Sequence, residues 1–431
     1  MRATFLAAVI ALVCLPTGAR AQTSACGQGA PSQAWVSACG TIIDNAQTAP
    51  AERAKALKSR GVFYIQQRNF PQAIKDFTDA IAIDNKDAEA LNDRGLAYQL
   101  SGDRDRALLD YDRTIAADPK FVLGYFNRGT VRFARGDAAG AMVDFDQAIA
   151  LRPDFASAYG RRGILKANRG DPEGAIADET LALQYDPNDV EALSLRGAML
   201  MGKGELDRSI ADSDAVLRLQ PNSAHAYNNR GAAYTQKGDL ARALADYDRA
   251  ISIVPDMGGQ YNNRGVVRFA LGQFGPAADD FERAAKADPK NPYPALWRYL
   301  AVARTGNAST AEFQNAARAF PPTSWPQPVI DFYLGKIGAD AVRAAAAKLE
   351  TQMPHGKECE AEFYISEFLL AQSAGKIDAN QVKPYQPDRA LLRMDPEVVK
   401  QVKPMLARAA EACPAGFTER VGVLGELKRM Q

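Results

Sequence analysis

The chain has 431 residues, of which 47% are hydrophobic, so it contains enough apolar material for a large buried core. Its formal net charge is +1, and acidic and basic residues are mixed along the whole length, which argues against a nucleic-acid partner. No block of alternating apolar and polar residues indicates a sheet, and the sequence therefore predicts an all-α protein.

The N-terminal residues have the pattern of a cleavable secretory signal peptide. Residues 3–15 form an apolar run after a positive start, and residues 19–21 read Ala-Arg-Ala, a typical cleavage motif. The run is too short to span a bilayer. We therefore predict a signal peptide over 1–21, a periplasmic or secreted location, and no integral membrane segment in the mature chain. A lipid anchor at Cys14 is the less favoured alternative, because a valine precedes it where a lipobox has a small residue.

Residues 22–53 are predicted to form a helical cap, with one helix over 32–46. From residue 54 to residue 291 the sequence then repeats itself every 34 residues. A fixed period in this range is typical of a tandem array of helix hairpins. Each of the seven units contains an Arg-Gly pair, at Arg60-Gly61, Arg94-Gly95, Arg128-Gly129, Arg162-Gly163, Arg196-Gly197, Arg230-Gly231 and Arg264-Gly265.

Other recurring residues have physical explanations. The glycine of each pair falls in mid-helix, where glycine is less favourable than alanine by about 1 kcal/mol. We therefore expect it to pack against a small residue of the second helix, such as Ala73 or Ser209. A second glycine, often followed by aspartate, is expected to end the first helix and cap the next, as at Gly102 and Asp103. The order Gly, Ala, aromatic, Ala, Pro resembles the tetratricopeptide repeat (TPR) family, which implies a right-handed α-solenoid with a concave binding groove.

One feature departs from the usual TPR pattern. The residue before the mid-helix glycine is always arginine, and an aspartate follows it after sixteen residues. We predict a structural ladder of Arg–Asp pairs that links the two helices of one unit or two neighbouring units. The aspartates neutralise the arginine row, which argues against anion binding. The predicted pairs are Arg60 with Asp76, Arg94 with Asp110, Arg128 with Asp144, Arg162 with Asp178, Arg196 with Asp212, Arg230 with Asp246, and Arg264 with Asp280.

The repeat decays after residue 291. Residues 292–323 are predicted to be a divergent eighth unit, in which Arg298 keeps its place and Tyr299 replaces the glycine. Residues 324–431 are predicted to be a divergent helical region. The helices expected there cover residues 339–349, 360–371 and 405–413, and an insertion is expected near 376–404.

Three segments of this region resemble the C-terminal half of NlpI-type periplasmic TPR proteins. They are Trp-Arg-Tyr-Leu at 297–300, Val-Ile-Asp-Phe-Tyr-Leu-Gly at 329–335, and Glu-Phe-Tyr at 362–364. That resemblance implies an adaptor that brings cell-wall hydrolases and a protease together.

Export favours disulfide bonds among the four cysteines of the mature chain, which are Cys26, Cys39, Cys359 and Cys413. Four cysteines allow three pairings. If the predicted helices over 360–371 and 405–413 are antiparallel, Cys359 and Cys413 lie side by side. That bridge is preferred and leaves Cys26 with Cys39, while the other pairings stay open.

No constellation of residues indicates catalysis. Residues 197–203 match most of a phosphate-binding loop, but no strand precedes them and Gly204 replaces the magnesium-binding hydroxyl. His225 and His355 have no partners at metal-ligand spacing. A triad assembled from distant residues around His355 is a minor alternative. We expect a protein that is not an enzyme, with no cofactor, no metal site and no catalytic residue.

The first helix of each unit lines the groove in TPR proteins. Several of the corresponding positions carry asparagine here, which can donate and accept hydrogen bonds to an extended peptide. The alternative is that these asparagines are ordinary surface. The predicted groove residues are Asn92, Phe126, Asn127, Asn228, Asn229, Asn262, Asn263 and Phe269.

The sequence thus predicts an exported scaffold that binds proteins or extended peptides, and the NlpI resemblance implies a role in cell-envelope maintenance. The alternative is a structural component of a secretion or polysaccharide-export complex that docks through the C-terminal region. Partner identity, and whether two copies form a homodimer, are left open by the sequence.

Overall fold

A computed structural model of the chain describes residues 26, 33–306, 308–320, 325–350, 356–374, 395–414 and 418–431. The predicted signal peptide, most of the predicted insertion, and His355 lie outside the described residues. The regular secondary structure of the described residues is entirely helical, and successive helices pack as hairpins. The predicted all-α TPR solenoid fold is therefore confirmed.

The helices fall into two compact units, Met1–Asp154 and Phe155–Gln431. In the first unit, one helix precedes three hairpins, each made of two consecutive helices. The helices of this unit are α1 (Gln33–Asp44), α2 (Pro50–Gln66), α3 (Phe70–Ile83), α4 (Ala88–Ser101), α5 (Arg104–Ala117), α6 (Val122–Ala134) and α7 (Ala138–Leu151).

The second unit begins with four hairpins and continues into the divergent C-terminal helices. Its hairpin helices are α8 (Ala156–Asn168), α9 (Pro172–Tyr185), α10 (Val190–Gly202), α11 (Leu206–Leu219), α12 (Ala224–Lys237), α13 (Leu240–Ile253), α14 (Gly258–Ala270) and α15 (Phe274–Ala287). The remaining helices are α16 (Pro292–Arg304), α17 (Thr310–Ala317), α18 (Gln327–Tyr333), α19 (Ala339–Glu350), α20 (Gly356–Ala374), α21 (Pro396–Ala412) and α22 (Thr418–Arg429).

A glycine in the left-handed conformation separates the two helices of every repeat hairpin after the first, in which Arg68 has the positive φ. Gly238 has a φ of 82° and ends α12, which an L side chain would disfavour. The carboxylate of Asp239 then accepts a hydrogen bond from the backbone N–H of Arg242 and caps α13. Glycine followed by aspartate therefore ends one helix and starts the next, as predicted.

Five of the seven mid-helix glycines pack against aromatic rings, which corrects the prediction that they pack against alanine, whereas Gly197 lies against Ser209 as predicted. A Cβ atom added to Gly265 would lie 2.8 Å from the ring of Phe281, and one added to Gly61 would lie 2.7 Å from Phe77. The predicted small residues, such as Ala277, are fully buried. The ring lies one helical turn further along the same face and is long enough to reach the glycine first.

Gly265→Ala is expected to lower the free energy of unfolding by about 1–3 kcal/mol, because the methyl group would overpack the hairpin. Gly197 is a matched control, since Ser213 replaces the aromatic residue of its hairpin. A Cβ atom there would meet nothing closer than the Cβ of Asp212, at 3.3 Å. Gly197→Ala should be much less destabilising, because alanine gains about 1 kcal/mol of helix propensity. Urea titrations of both variants test this, and equal losses would contradict it.

The C-terminal helices share one hydrophobic core with the last repeats. The ring of Trp297 on α16 lies 5.1 Å from that of Phe269 on α14 and 4.8 Å from that of Phe363 on α20. Arg429 on α22 donates a hydrogen bond to the carbonyl oxygen of Ala270, at 2.6 Å. Residues of the divergent region therefore stabilise the repeats that precede them.

Disulfide bonds join Cys359 to Cys413 and Cys26 to Cys39, the pairing preferred from the sequence. Cys413 follows α21, and this helix begins at Pro396 rather than at Met405. Two features explain the earlier start. The side chain of Asp395 caps the helix, and proline is favourable in the first turn.

Candidate functional site

All seven predicted Arg–Asp pairs are formed, and each joins the two helices of one hairpin. In a representative pair, Nε and Nη2 of Arg230 donate to the two carboxylate oxygens of Asp246, at 2.8 and 2.7 Å. Two parallel charge-assisted bonds of this kind fix both position and orientation. The aspartate of every pair is buried. In the other six pairs, Nε and Nη2 of the arginine also donate directly to the carboxylate of the aspartate.

The third donor of several arginines reaches the preceding hairpin. Nη1 of Arg230 donates to Asp214 at 2.5 Å, and Nη1 of Arg264 donates to Asp248 at 2.6 Å. These acceptors lie sixteen residues before the arginine, and the sequence prediction missed them. The same fixed spacing in the sequence is a signal that identifies them. The ladder therefore links hairpins to one another as well as their helices.

Four predicted groove residues, Asn127 among them, are buried, which corrects their assignment to a peptide-binding surface. Asn92 and Phe126 are buried, and the ring of Phe126 packs 6.1 Å from that of Phe145. Phe269 is fully buried in the core that α14 shares with the C-terminal helices. Large side chains at these positions fill the space between packed helices, so a peptide has no access to them.

Asparagines of neighbouring first helices bind each other. In the first unit, Nδ2 of Asn127 donates to Oδ1 of Asn92 at 2.9 Å. In the second unit, Nδ2 of Asn263 donates to Oδ1 of Asn228 at 3.1 Å. These two bonds have the same register and connect consecutive hairpins. Four of the six predicted asparagines therefore have a structural contact.

Asn229 and Asn262 are different, because their side chains make no hydrogen bond to another described residue. Both side chains are partly exposed, and Oδ1 of Asn262 has no donor. An unsatisfied buried acceptor is unfavourable by about 1–3 kcal/mol. We call the surface formed by Asn228, Asn229, Asn262 and Asn263 the asparagine face.

Other kinds of site find little support in the described part of the chain. It contains no group of three histidine, cysteine, aspartate or glutamate side chains placed to hold a metal ion.

A cavity of about 600 Å³ near the C-terminal helices is lined by aromatic residues, including Tyr299, Phe332 and Phe368. None of the described helices has both the length and the apolar character that crossing a bilayer requires.

Family models described as tetratricopeptide repeat match more than half of the chain. One such model matches residues 60–120, 92–154, 126–190 and 195–257, and another matches residues 231–301. No curated protein matches the chain.

Several solved structures, two of them described as TPR proteins, are similar to parts of the chain. YrrB, described as a TPR protein with an unusual peptide-binding site, is 27% identical, with a TM-score of 0.39, over 42% of this chain and 93% of its own. A TPR protein from Parabacteroides merdae is 19% identical, with a TM-score of 0.41, over 58% of this chain and 98% of its own. PilF from Pseudomonas aeruginosa is 17% identical, with a TM-score of 0.45, over 48% and 95%.

Proposed function

Because the chain belongs to the tetratricopeptide repeat family, we propose that it is a scaffold that binds protein or peptide partners through its asparagine face. The observation that carries this proposal is the contrast within that face. The bond between Asn228 and Asn263 holds neighbouring helices together, whereas Asn229 and Asn262 make no such bond. Their amides can donate and accept hydrogen bonds along an extended backbone.

We further propose that the protein is exported and acts as an adaptor in the cell envelope. The signal-peptide pattern of residues 1–21 supports export, and the two disulfide bonds fit an oxidising compartment. The resemblance of the C-terminal region to NlpI-type proteins supports the adaptor role. This proposal includes no catalytic step, cofactor or metal.

The double variant Asn229→Ala/Asn262→Ala is expected to weaken partner binding by about tenfold or more, the effect of losing one or two hydrogen bonds. Its melting temperature should stay close to that of the wild type, because neither side chain has a hydrogen bond to another described residue. A photo-crosslinking residue at position 229 identifies the partner in cell extracts. Calorimetry with the purified partner then measures the affinities.

The matched control is Asn228→Ala/Asn263→Ala, which removes the bond between helices and should lower the melting temperature. A crosslinker at Ala245, exposed on the second helix α13, should capture no partner. Unchanged affinity of the Asn229/Asn262 variant would refute the asparagine face. Capture from a crosslinker at Phe332 instead would favour the alternative, a structural component of a secretion or polysaccharide-export complex that docks through the C-terminal region.

A further inference from the structure

The fourth hairpin has a buried glutamate where most hairpins have an aromatic ring. The carboxyl group of Glu179 lies against Gly163, the place that Phe281 takes against Gly265. Only 1% of Glu179 is exposed, and neither carboxyl oxygen has a hydrogen-bond partner in the described part of the chain. Buried polar groups are nearly always paired, because an unpaired one is strongly unfavourable. Glu179 therefore lacks the partner that its burial requires.

The surroundings of Glu179 are rich in negative charge. Burial raises the pKa of Glu179 to about 9, and the carboxylates of Asp189, Glu191 and Asp178 add to the effect. Arg161 on α8 acts in the opposite direction, but the carboxylate it approaches is that of Glu191, at 3.5 Å. Asp178 is already neutralised by the arginine and the lysine of α8 that bind it. Among the described groups with the largest effect on Glu179, three carboxylates therefore outnumber one cation, Arg161.

An equivalent junction in the first unit shows what satisfies such carboxylates. The segment Asp-x-Glu starts the first helix of only two repeats, at residues 87–89 and at residues 189–191. At the earlier junction, Nζ of Lys58 binds Asp87 at 2.9 Å and Glu89 at 2.5 Å. An ammonium group is therefore the natural partner of this pair of carboxylates.

The residue equivalent to Lys58 at the later junction is Gly160, which has no side chain to offer. A Cβ atom added to Gly160 would meet only Oε2 of Glu179, at 3.7 Å, which is an ordinary contact. A side chain can therefore be accommodated here, directly beside the unpaired carboxyl group. Gly160 is also partly exposed, so a side chain from outside can approach this position, and the oxygens of Glu179 lie buried beneath it.

We propose that Gly160, Glu179, Asp189 and Glu191 form a site for the side-chain ammonium of a lysine from a protein partner. The partner's lysine takes the place that Lys58 fills at the equivalent junction. Its aliphatic stem passes the open position at Gly160, and its ammonium donates charge-assisted hydrogen bonds to the carboxylates. This site rests on the proposed function, because the lysine belongs to a partner that binds along the first helices.

The first test titrates the full-length protein with two blocked pentapeptides that have alanines around a central residue. The central residue is lysine in one peptide and norleucine, which has the same stem without the ammonium, in the other. We expect the lysine peptide to bind at least about tenfold more tightly, the effect of one charged hydrogen bond. Glu179→Gln keeps the size of the side chain and should abolish this preference. Equal binding of the two peptides would overturn the proposal.

The second test places the cation within the chain. Gly160→Lys should melt at a higher temperature than the matched variant Gly160→Met, which adds a stem of similar length without charge. Gly160→Lys should also lose the preference for the lysine peptide, because its own ammonium occupies the site. A melting temperature no higher than that of Gly160→Met would contradict the proposal.

The two proposals fail in different ways. If the lysine peptide has no advantage and Asn229→Ala/Asn262→Ala still weakens the partner, the lysine site is wrong and the proposed function stands. If the asparagine variant has no effect and the lysine preference is observed, the asparagine face is wrong and the lysine site stands.

Discussion

Replacing Arg304 with methionine is expected to lower the free energy of unfolding by about 3–5 kcal/mol, the usual effect of breaking a buried ion pair. Arg304 ends α16, and only 3% of its side chain is exposed. Its Nη1 lies 3.0 Å from Glu367 and 2.7 Å from Glu426, and both carboxylates are fully buried. Methionine keeps the apolar stem but removes the cation that is hydrogen-bonded to Glu367, while Arg429 remains with Glu426.

The loss of unfolding free energy in Arg304→Met should also depend on pH. Burial, followed by repulsion from Glu426, raises the pKa of Glu367. Burial also opposes ionisation of Glu426, yet Arg304 and Arg429 hold its pKa below the usual range. Without Arg304 the pKa of both carboxyl groups rises. A carboxyl group with a raised pKa in the folded state stabilises the protein below its unfolded pKa and loses that contribution as the pH rises through its folded pKa.

The difference in free energy of unfolding between the wild type and Arg304→Met should therefore be larger at about pH 8 than at about pH 5. Urea titrations at both values measure it. The control is Arg343→Met, because Arg343 pairs with Glu362 at 2.6 Å and 37% of its side chain is exposed. It should lose no more than about 1 kcal/mol. A deficit of Arg304→Met that did not change with pH would contradict the assignment of the buried charges.

The period of 34 residues predicted the hairpins well because each local rule recurs in every unit. A left-handed glycine such as Gly238 and a capping aspartate such as Asp239 act within one turn, so their effect does not depend on distant residues. The spacing of sixteen residues between arginine and aspartate likewise stays within one hairpin, and the pairs lie where that spacing requires.

The groove was less predictable, because burial depends on contacts that the period does not encode. Phe269 matches a groove position of the family, yet α22 returns to α14 and Arg429 binds the carbonyl oxygen of Phe269 from 160 residues further along the chain. The side-chain oxygen of Asn92 accepts a hydrogen bond from Asn127 in the next repeat. The family pattern identifies the side of the helix, whereas only the packed structure shows what covers it.

Glu179 marks the limit of sequence reasoning in a different way. Its departure from the aromatic register is visible in the sequence, as is the Asp-x-Glu segment that follows at residues 189–191. What is not visible is that its carboxyl group lies beside Gly160, and that neither oxygen has a hydrogen-bond partner among the residues the structure describes. The sequence repeat shows that Glu179 departs from the aromatic residue of other hairpins, and the contacts in the structure show which group its carboxyl can bind.

Asp144→Asn is expected to destabilise the protein by about 3–5 kcal/mol, because it removes the charge that two arginines share inside the ladder. The side chain of Asp144 is fully buried and lies 2.6 Å from Nη2 of Arg128 and 2.9 Å from Nη1 of Arg132. Asparagine has nearly the same volume as aspartate, so the loss of stability is caused by the removed charge and not by a cavity. Its amide N–H₂ group would also face the guanidinium groups, donor against donor.

The matched control is Asp112→Asn, since Asp112 binds the same arginine from the preceding hairpin. Nη1 of Arg128 lies 2.7 Å from Asp112, but 53% of this aspartate's side chain is exposed. Its replacement should lower the free energy of unfolding by only about 0–1 kcal/mol. Because both variants act on Arg128, urea titrations of the pair separate the bond within a hairpin from the bond between hairpins. If Asp112→Asn were as destabilising as Asp144→Asn, the ladder would stabilise the stacking of repeats as much as the hairpins themselves, contrary to this prediction.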